Sequence, residues 1–213
     1  MLNWIIGGLT SHRKDNPVKI KEMMVPNPIT VTPRTEVAEA LELMKINSIR
    51  HLPVVDRTRR LKGLLTLADL KQSLLPSMLG DVTLADMMIK KPITISPEAD
   101  IEYAAKLIYK HKIGGLPVTK GSYLVGIITE TDLLRAFIDM MGILSNSTRI
   151  DVTTSETSAD LNRCIQIMQE HGADIIHVGM TTQKSSARTY YFRLSPCNAT
   201  PIKKALKTEG FSV

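Results

Sequence analysis

The sequence predicts a mixed α/β (α+β) protein: two copies of one small unit, followed by a separate C-terminal domain of βαββαβ order. Two observations carry that prediction. A long stretch returns in register 64 residues later, and the pattern after about residue 145 matches neither copy. Composition allows such an architecture. The 213 residues give room for one large or two small domains, and 43% hydrophobic content supports a core without disulfides or a structural metal. Charged residues at 23% argue against wholesale disorder. The net charge of +6 favours anionic partners, namely phosphates, nucleic acid or membrane headgroups, without choosing among them.

The repeat is read directly. Met23-Met24-Val25-Pro26-Asn27-Pro28-Ile29-Thr30-Val31-Thr32-Pro33 returns as Met87-Met88-Ile89-Lys90-Lys91-Pro92-Ile93-Thr94-Ile95-Ser96-Pro97. The match runs on through Val37/Ile101, Ala40/Ala104, Leu43/Leu107, Ile49/Ile113 and Leu52-Pro53-Val54/Leu116-Pro117-Val118. One residue then drops out, and Gly63/Gly126, Thr66/Thr129, Asp69/Asp132 and Leu70/Leu133 continue at an offset of 63. So many ordered matches around one gap mark a tandem duplication.

Each copy reads alike. Pro33 and Pro97 close an extended segment ahead of an acidic first helical turn, Glu36 in one copy, Glu98 and Asp100 in the other. Val37, Ala40, Leu41 and Met44 give one apolar helix face, as do Ile101, Ala104, Ala105 and Ile108. Leu52 to Val55 and Leu61 to Leu65 predict a strand pair across a polar turn. Leu116 to Thr119 and Tyr123 to Ile128 repeat it across Lys120-Gly121-Ser122. A second helix starts near Thr66 and near Thr129, the latter reaching about Met141. Neither copy can enclose a good core alone, so the two are expected to pack face to face.

After Gly142 and the polar Ser145-Asn146-Ser147, Arg149 to Thr153 alternates as a strand. Leu161, Cys164, Ile165 and Met168 mark a helix ending at Gly172. Ile175 to Val178 and Tyr190 to Leu194 read as strands, Ile202 to Leu206 as a short helix and Phe211 to Val213 as a last strand. That βαββαβ order is the split arrangement of ferredoxin-like domains. The expected divisions are an N-terminal arm at 1–17, repeat units at 18–80 and 81–144, and the C-terminal domain at 145–213.

Chemistry concentrates in Gly63-Leu64-Leu65-Thr66-Leu67-Ala68-Asp69 and its echo Gly126-Ile127-Ile128-Thr129-Glu130-Thr131-Asp132. Each lies where a strand turns into a helix, whose first N–H groups and dipole favour an anion. The threonine hydroxyl can meet a phosphate, and the aspartate one turn on can accept from both hydroxyls of a ribose. Thr-x-x-Asp opening a helix is equally a capping box. The glycine, which admits close backbone approach, recurs with the pair in both copies, and capping alone does not require it.

Two units of Ile-x-x-Leu-Pro-Val, a turn and Gly-x-x-Thr-x-x-Asp resemble a pair of CBS domains, together a Bateman module, over about Val18 to Met141. The resemblance implies a regulatory module that takes an adenine-containing ligand, such as AMP, ADP, ATP or S-adenosylmethionine, between the two units. It implies a first site of Asp132 on the ribose and Thr129 on the phosphate, with Ile127 beside them. Ile29, Leu52 and Pro53 would bracket the base there, with Thr35, Arg50 and His51 nearby. It implies a second site in which Asp69, Thr66 and Leu64 face Ile93, Leu116 and Pro117. Gly114 and Gly115 stand where the first copy has Arg50 and His51, so the Asp132 site is expected to hold phosphate, and to bind, more strongly. Surface solvation beside a strand is the competing reading of Arg50 and His51.

The C-terminal domain resembles an ACT domain, and the whole order resembles the acetoin-utilisation-type CBS/ACT regulatory proteins. Glu156-Thr157-Ser158-Ala159-Asp160 lacks the glycine usual in amino-acid-binding members, which leaves a structural or dimerising role beside amino-acid sensing. The resemblance further implies a homodimer or larger assembly, with a protein partner to read the signal.

Other functions find little to stand on. Catalysis would need a nucleophile with a placed base, a P-loop or a metal cluster, and none is read here, so a non-enzyme with no catalytic cofactor and no metal is expected. The five histidines lack ligand spacing, and Cys164 and Cys197 fit neither a disulfide framework nor a zinc site. Aromatic content of 4% and the lack of a stacking platform weigh against nucleic acid, despite the positive charge. Arg57, Arg59, Arg60 and Lys62 read as a solvated turn, and Met23, Met24, Met87 and Met88 as core or interface filler. The apolar opening, Met1 to Leu9, reads as an arm rather than a signal peptide, and no run suits a membrane helix. A cytoplasmic location is expected.

Overall fold

The computed structural model describes residues 18–72, 83–155, 158–181 and 187–213. The expected N-terminal arm and the boundary at 80/81 lie outside the described residues. The chain divides into two compact units, with the break between Leu133 and Leu134.

In the first unit the duplication is visible element by element. The first copy runs α1 (Ile20–Met23), β1 (Val25–Pro26), α2 (Val37–Ile46), β2 (His51–Val55), β3 (Leu61–Thr66) and α3 (Leu67–Gln72). The second runs α4 (Leu84–Met87), α5 (Ile101–His111), β4 (Gly115–Lys120), β5 (Tyr123–Thr129) and α6 (Glu130–Met140), which crosses the break. The single turns α1 and α4 were not foreseen. They occupy equivalent places, and in each a residue at N3, Glu22 or Asp86, reaches back to the backbone N–H that precedes the turn. Four residues are too short for apolar periodicity to register.

Helix boundaries follow from local chemistry. The Asp100 carboxylate accepts from Glu102 N at 2.9 Å and opens α5, which ends on Lys112 in the left-handed region at φ 52°. Asn47 closes α2 by donating its side-chain amide to the Leu43 carbonyl at 2.9 Å. Ala40 and Met44 bury one face of α2 against Val31, Leu52, Val54, Leu65, Leu70 and Leu84. Each of these side chains larger than alanine contributes about 1.5–3 kcal/mol on leaving water.

The copies exchange their leading segments. Val25–Pro26 pairs antiparallel with β5 of the second copy, and Ile89 pairs with Leu64 of the first through hydrogen bonds of 3.1 and 2.9 Å. Each segment then returns to its own copy, Val31 lying parallel to Val54 and Ile95 parallel to Val118. Gly63 and Gly126 are explained by this crossing. A Cβ on Gly63 would come within 2.6 Å of Met88 Sδ and 2.9 Å of the Ile89 carbonyl. On Gly126 it would come within 2.4 Å of Met24 Sδ. The close approach these glycines permit is that of the exchanged segment, so their recurrence carries no information about a ligand. Met24 and Met88 are the filler the sequence suggested.

The basic turn is tied down as well. Asp56 Oδ1 accepts from Thr58 N, Thr58 Oγ1 and Arg60 N at 2.8–3.0 Å, which holds its carboxyl well below the usual range. The Arg60 guanidinium lies 5.3 Å from the Tyr123 ring centre, and Leu61 N donates to the Ser122 carbonyl, joining the two hairpins.

The second unit holds β6 (Thr148–Ser155), α7 (Ser158–Glu170), β7 (Ile175–Thr181), β8 (Ala187–Leu194) and α8 (Ala199–Thr208). The antiparallel order is β6-β8-β7, with Ser212 bridging Thr153 on the outer side of β6. This is the ferredoxin-like arrangement, except that Phe211–Val213 contributes one bridge where a strand was expected. Both helices contact β6, over a core of Ile150, Val152, Cys164, Ile167, Met168, Phe192, Leu194, Ile202 and Leu206. Burial pushes the Cys164 thiol up to about 11, while Cys197 is exposed. Residues 156 and 157 of the glycine-free stretch lie outside the described residues. No helix is long and apolar enough to cross a membrane among the described residues.

Candidate ligand clefts

Segment exchange creates two clefts, each with walls from both copies. One, of about 520 Å³, is lined by Leu64, Thr66 and Asp69 of the first copy together with Ile89, Lys91, Pro92, Ile93, His111, Lys112, Ile113, Gly114 and Gly115 of the second. The other, of about 330 Å³, is lined by Ile127, Thr129, Thr131 and Asp132 of the second copy together with Val25, Pro28, Ile29, Ser48, Ile49 and Arg50 of the first. His51 borders both.

The motif is built identically in each cleft. Thr66 donates from N and Oγ1 to Asp69 Oδ2 at 2.9 and 2.7 Å, and Asp69 N donates back to Thr66 Oγ1 at 3.3 Å. Thr129 and Asp132 repeat this at 2.8, 2.7 and 3.4 Å. The capping box is therefore present in both copies, and such a cap stabilises by about 0.5–2 kcal/mol. Capping engages only Oδ2. Among the described residues Oδ1 of either aspartate has no hydrogen-bond partner, and both carboxylates are half-buried at the cleft wall. Capping and ligand contact are thus compatible on one carboxylate. The threonine hydroxyls are turned to the aspartates, so phosphate contact would require them to rotate.

Of the residues expected at the first site, Ile29, Arg50, His51, Ile127, Thr129 and Asp132 line the smaller cleft. At the second, Leu64, Thr66, Asp69 and Ile93 line the larger. Thr35, Leu52, Pro53, Leu116 and Pro117 line neither. Leu52 and Leu116 are fully buried. Pro53 and Pro117 present carbonyls to Val31 N and Ile95 N at 3.1 Å, fixing the segments that carry Ile29 and Ile93. Thr35 Oγ1 accepts from Thr32 N at 3.0 Å. These residues hold the frame, and the cleft is walled by their neighbours.

Contrary to what the contrast of Gly114 and Gly115 with Arg50 and His51 suggests, the Asp69 cleft is not short of cationic groups. Gly114 and Gly115 stand where expected, yet Lys91 and Lys112 supply charge from the exchanged segment and the end of α5, and the His111 imidazole lines the same wall. None of the three stands at the repeat equivalent of Arg50 or His51. The ring of His51 also turns to this side: a Cβ on Gly114 would lie 2.9 Å from His51 Cε1 and Nε2. Burial, and then the Arg50 charge, lower the His51 pKa below 6.5, while Glu130 and Asp69 pull it upward. Among the described residues no group of three His, Cys, Asp or Glu is placed to hold a metal ion.

Known proteins match the same region. The family model for the CBS domain matches residues 20–76 and 84–139. A homoserine O-acetyltransferase of Methanocorpusculum labreanum is 34% identical over 134 residues, 62% of this chain and only 26% of that enzyme. A CBS domain-containing protein of Dictyostelium discoideum is 33% identical over 136 residues, 58% of this chain and 94% of that protein. Among solved structures, an acetoin utilization protein of Vibrio cholerae aligns with TM-score 0.56 at 32% identity, covering 59% of this chain and 96% of that one. The CBS domain pair of protein MJ0100, in complex with 5′-methylthioadenosine and S-adenosyl-L-methionine, aligns with TM-score 0.53 at 28% identity, covering 57% and 96%. CBSX2 in complex with AMP aligns with TM-score 0.52 at 29% identity over the same shares. With two matched copies spanning more than half its length, the chain belongs to the CBS-domain family.

Proposed function

We propose that the protein is a non-catalytic regulatory sensor of an adenine-containing ligand, AMP, ADP, ATP or S-adenosylmethionine, held in the clefts between its two CBS domains. The observation that carries this reading is the pair of aspartates with a free Oδ1, each facing an apolar segment contributed by the other copy. That oxygen suits the two hydroxyls of a ribose. Pro28, Ile29 and Ile127 offer an apolar slot for a base in one cleft, and Pro92, Ile93 and Leu64 offer one in the other. Arg50 on one side, and Lys91, His111 and Lys112 on the other, suit a phosphate tail. The adenine ligands of MJ0100 and CBSX2 support the ligand class.

Because both copies wall each cleft, a ligand that fits one relative orientation better shifts the population towards it. We read the ferredoxin-like unit as an ACT-like dimerising part of a cytoplasmic homodimer, which passes the change to a protein partner. In support, β7 has one strand neighbour among the described residues, and Ile176 and Met180 on it are exposed.

A thermal-shift screen with AMP, ADP, ATP, S-adenosylmethionine, NADH and GMP tests the reading. A ligand at a hundred times its Kd adds about 2.7 kcal/mol to the folded state. Stabilisation by an adenine compound, reduced by Asp69→Ala and by Asp132→Ala, is expected; no shift with any of them would contradict it.

A further inference from the structure

We propose that His51 couples the two clefts, so that a phosphate-bearing ligand in either one strengthens binding in the other. The inference rests on the adenine reading above and concerns its regulation. Among the described residues His51 alone lines both cavities. The repeat places Gly115 at the equivalent position in the second copy, so one ring serves two sites. Gly114 makes room for that ring, which lies where a Cβ would stand 2.9 Å from Cε1 and Nε2.

The surroundings supply a mechanism. Charged or titratable groups reach the ring from every side: Arg50 just before β2, Asp69 on α3 and Glu130 at the start of α6. Lys91, His111 and Lys112 border the larger cleft with it, and Asp132 the smaller. Burial and Arg50 keep the imidazole neutral near pH 7. An anion in either cleft favours the imidazolium. The first phosphate to bind draws a proton onto His51 against burial and Arg50; the second meets a ring already charged. That unfavourable step is taken once for two ligands, and the coupling is reciprocal. It fades at low pH, where the free protein is already protonated, and at high pH, where the ring stays neutral with both clefts filled.

The test is calorimetric titration of the full chain with AMP at about pH 7 and about pH 9, where the AMP phosphate keeps nearly the same charge. Repetition in buffers of different ionisation enthalpy gives the proton uptake. Adenosine, which carries no phosphate, is the control. The second AMP is expected to bind about fivefold or more tightly than the first, corrected for statistics, at pH 7. Up to one proton should be taken up per two AMP. Both effects should vanish at pH 9, with adenosine, and in His51→Gln; Gly114→Ala, which pushes the ring aside without removing it, should weaken them. Two independent AMP sites, AMP at one cleft only, or coupling unchanged in His51→Gln would overturn the inference while leaving adenine binding intact. Absence of both AMP and adenosine binding would overturn the adenine reading and this inference together.

Discussion

The two clefts share one motif to within about 0.1 Å in its hydrogen bonds, yet their remaining walls differ. The Asp132 cleft takes its cation from Arg50, beside the strand of the first copy. The Asp69 cleft has glycines there and draws on Lys91 and Lys112 instead. The frame has thus kept its repeat symmetry while the cleft-facing charge has not. Symmetry belongs to residues that pack backbone on backbone, and variety to those that only border the space between.

The strongest way to break this division is to remove a frame residue. Leu52→Ala, at a fully buried position, should cost about 2–5 kcal/mol of unfolding free energy in chemical denaturation. Ligand affinity in the remaining folded protein should change little; selective loss of ligand without loss of stability would return Leu52 to the cleft wall. Gly63→Ala comes next. Its new methyl meets the Ile89 carbonyl at 2.9 Å, and a destabilisation of about 1–3 kcal/mol is expected, read from the denaturation midpoint. Asp69→Ala and Asp132→Ala should each lose about 0.5–2 kcal/mol of capping stability and abolish binding in their own cleft alone. The smallest effect is the pH dependence carried by His51. Its folded pKa lies below the unfolded value, so the folded state binds fewer protons around pH 6.5. That contribution is present above the unfolded pKa and is lost as pH falls through the folded one. His51→Gln should therefore flatten part of the acid limb of a stability–pH curve, and an unchanged limb would mean the ring is not held neutral.

The repeat, both strand pairs and the position of the Thr-x-x-Asp boxes were legible because periodicity and internal alignment report local structure directly. Segment exchange was not. Nothing in Met23 to Pro33 says that Val25 pairs with Ile127 of the other copy before Val31 returns to Val54, since both are extended segments with the same side-chain pattern. Gly63 and Gly126 were legible as sites of close approach, but the approaching group was the exchanged backbone and its methionine. Lys91, His111 and Lys112 were missed because their repeat counterparts, Asn27, Asn47 and Ser48, carry no cationic side chain, so the repeat pointed to no such group there although Ser48 lines the other cleft. In the C-terminal unit the element order was legible from Ile150 through Leu206. The last strand was over-read: Phe211–Val213 has the apolar alternation of a strand, but among the described residues Ser212 makes a single bridge, to Thr153.

Counting bound AMP distinguishes adenine-ligand sites in the two exchanged-segment clefts from empty ones. Equilibrium dialysis of the full chain should give two AMP per chain, one in Asp69→Ala, one in Asp132→Ala and none in the double variant. No bound AMP, or a stoichiometry unchanged in the double variant, would contradict the account.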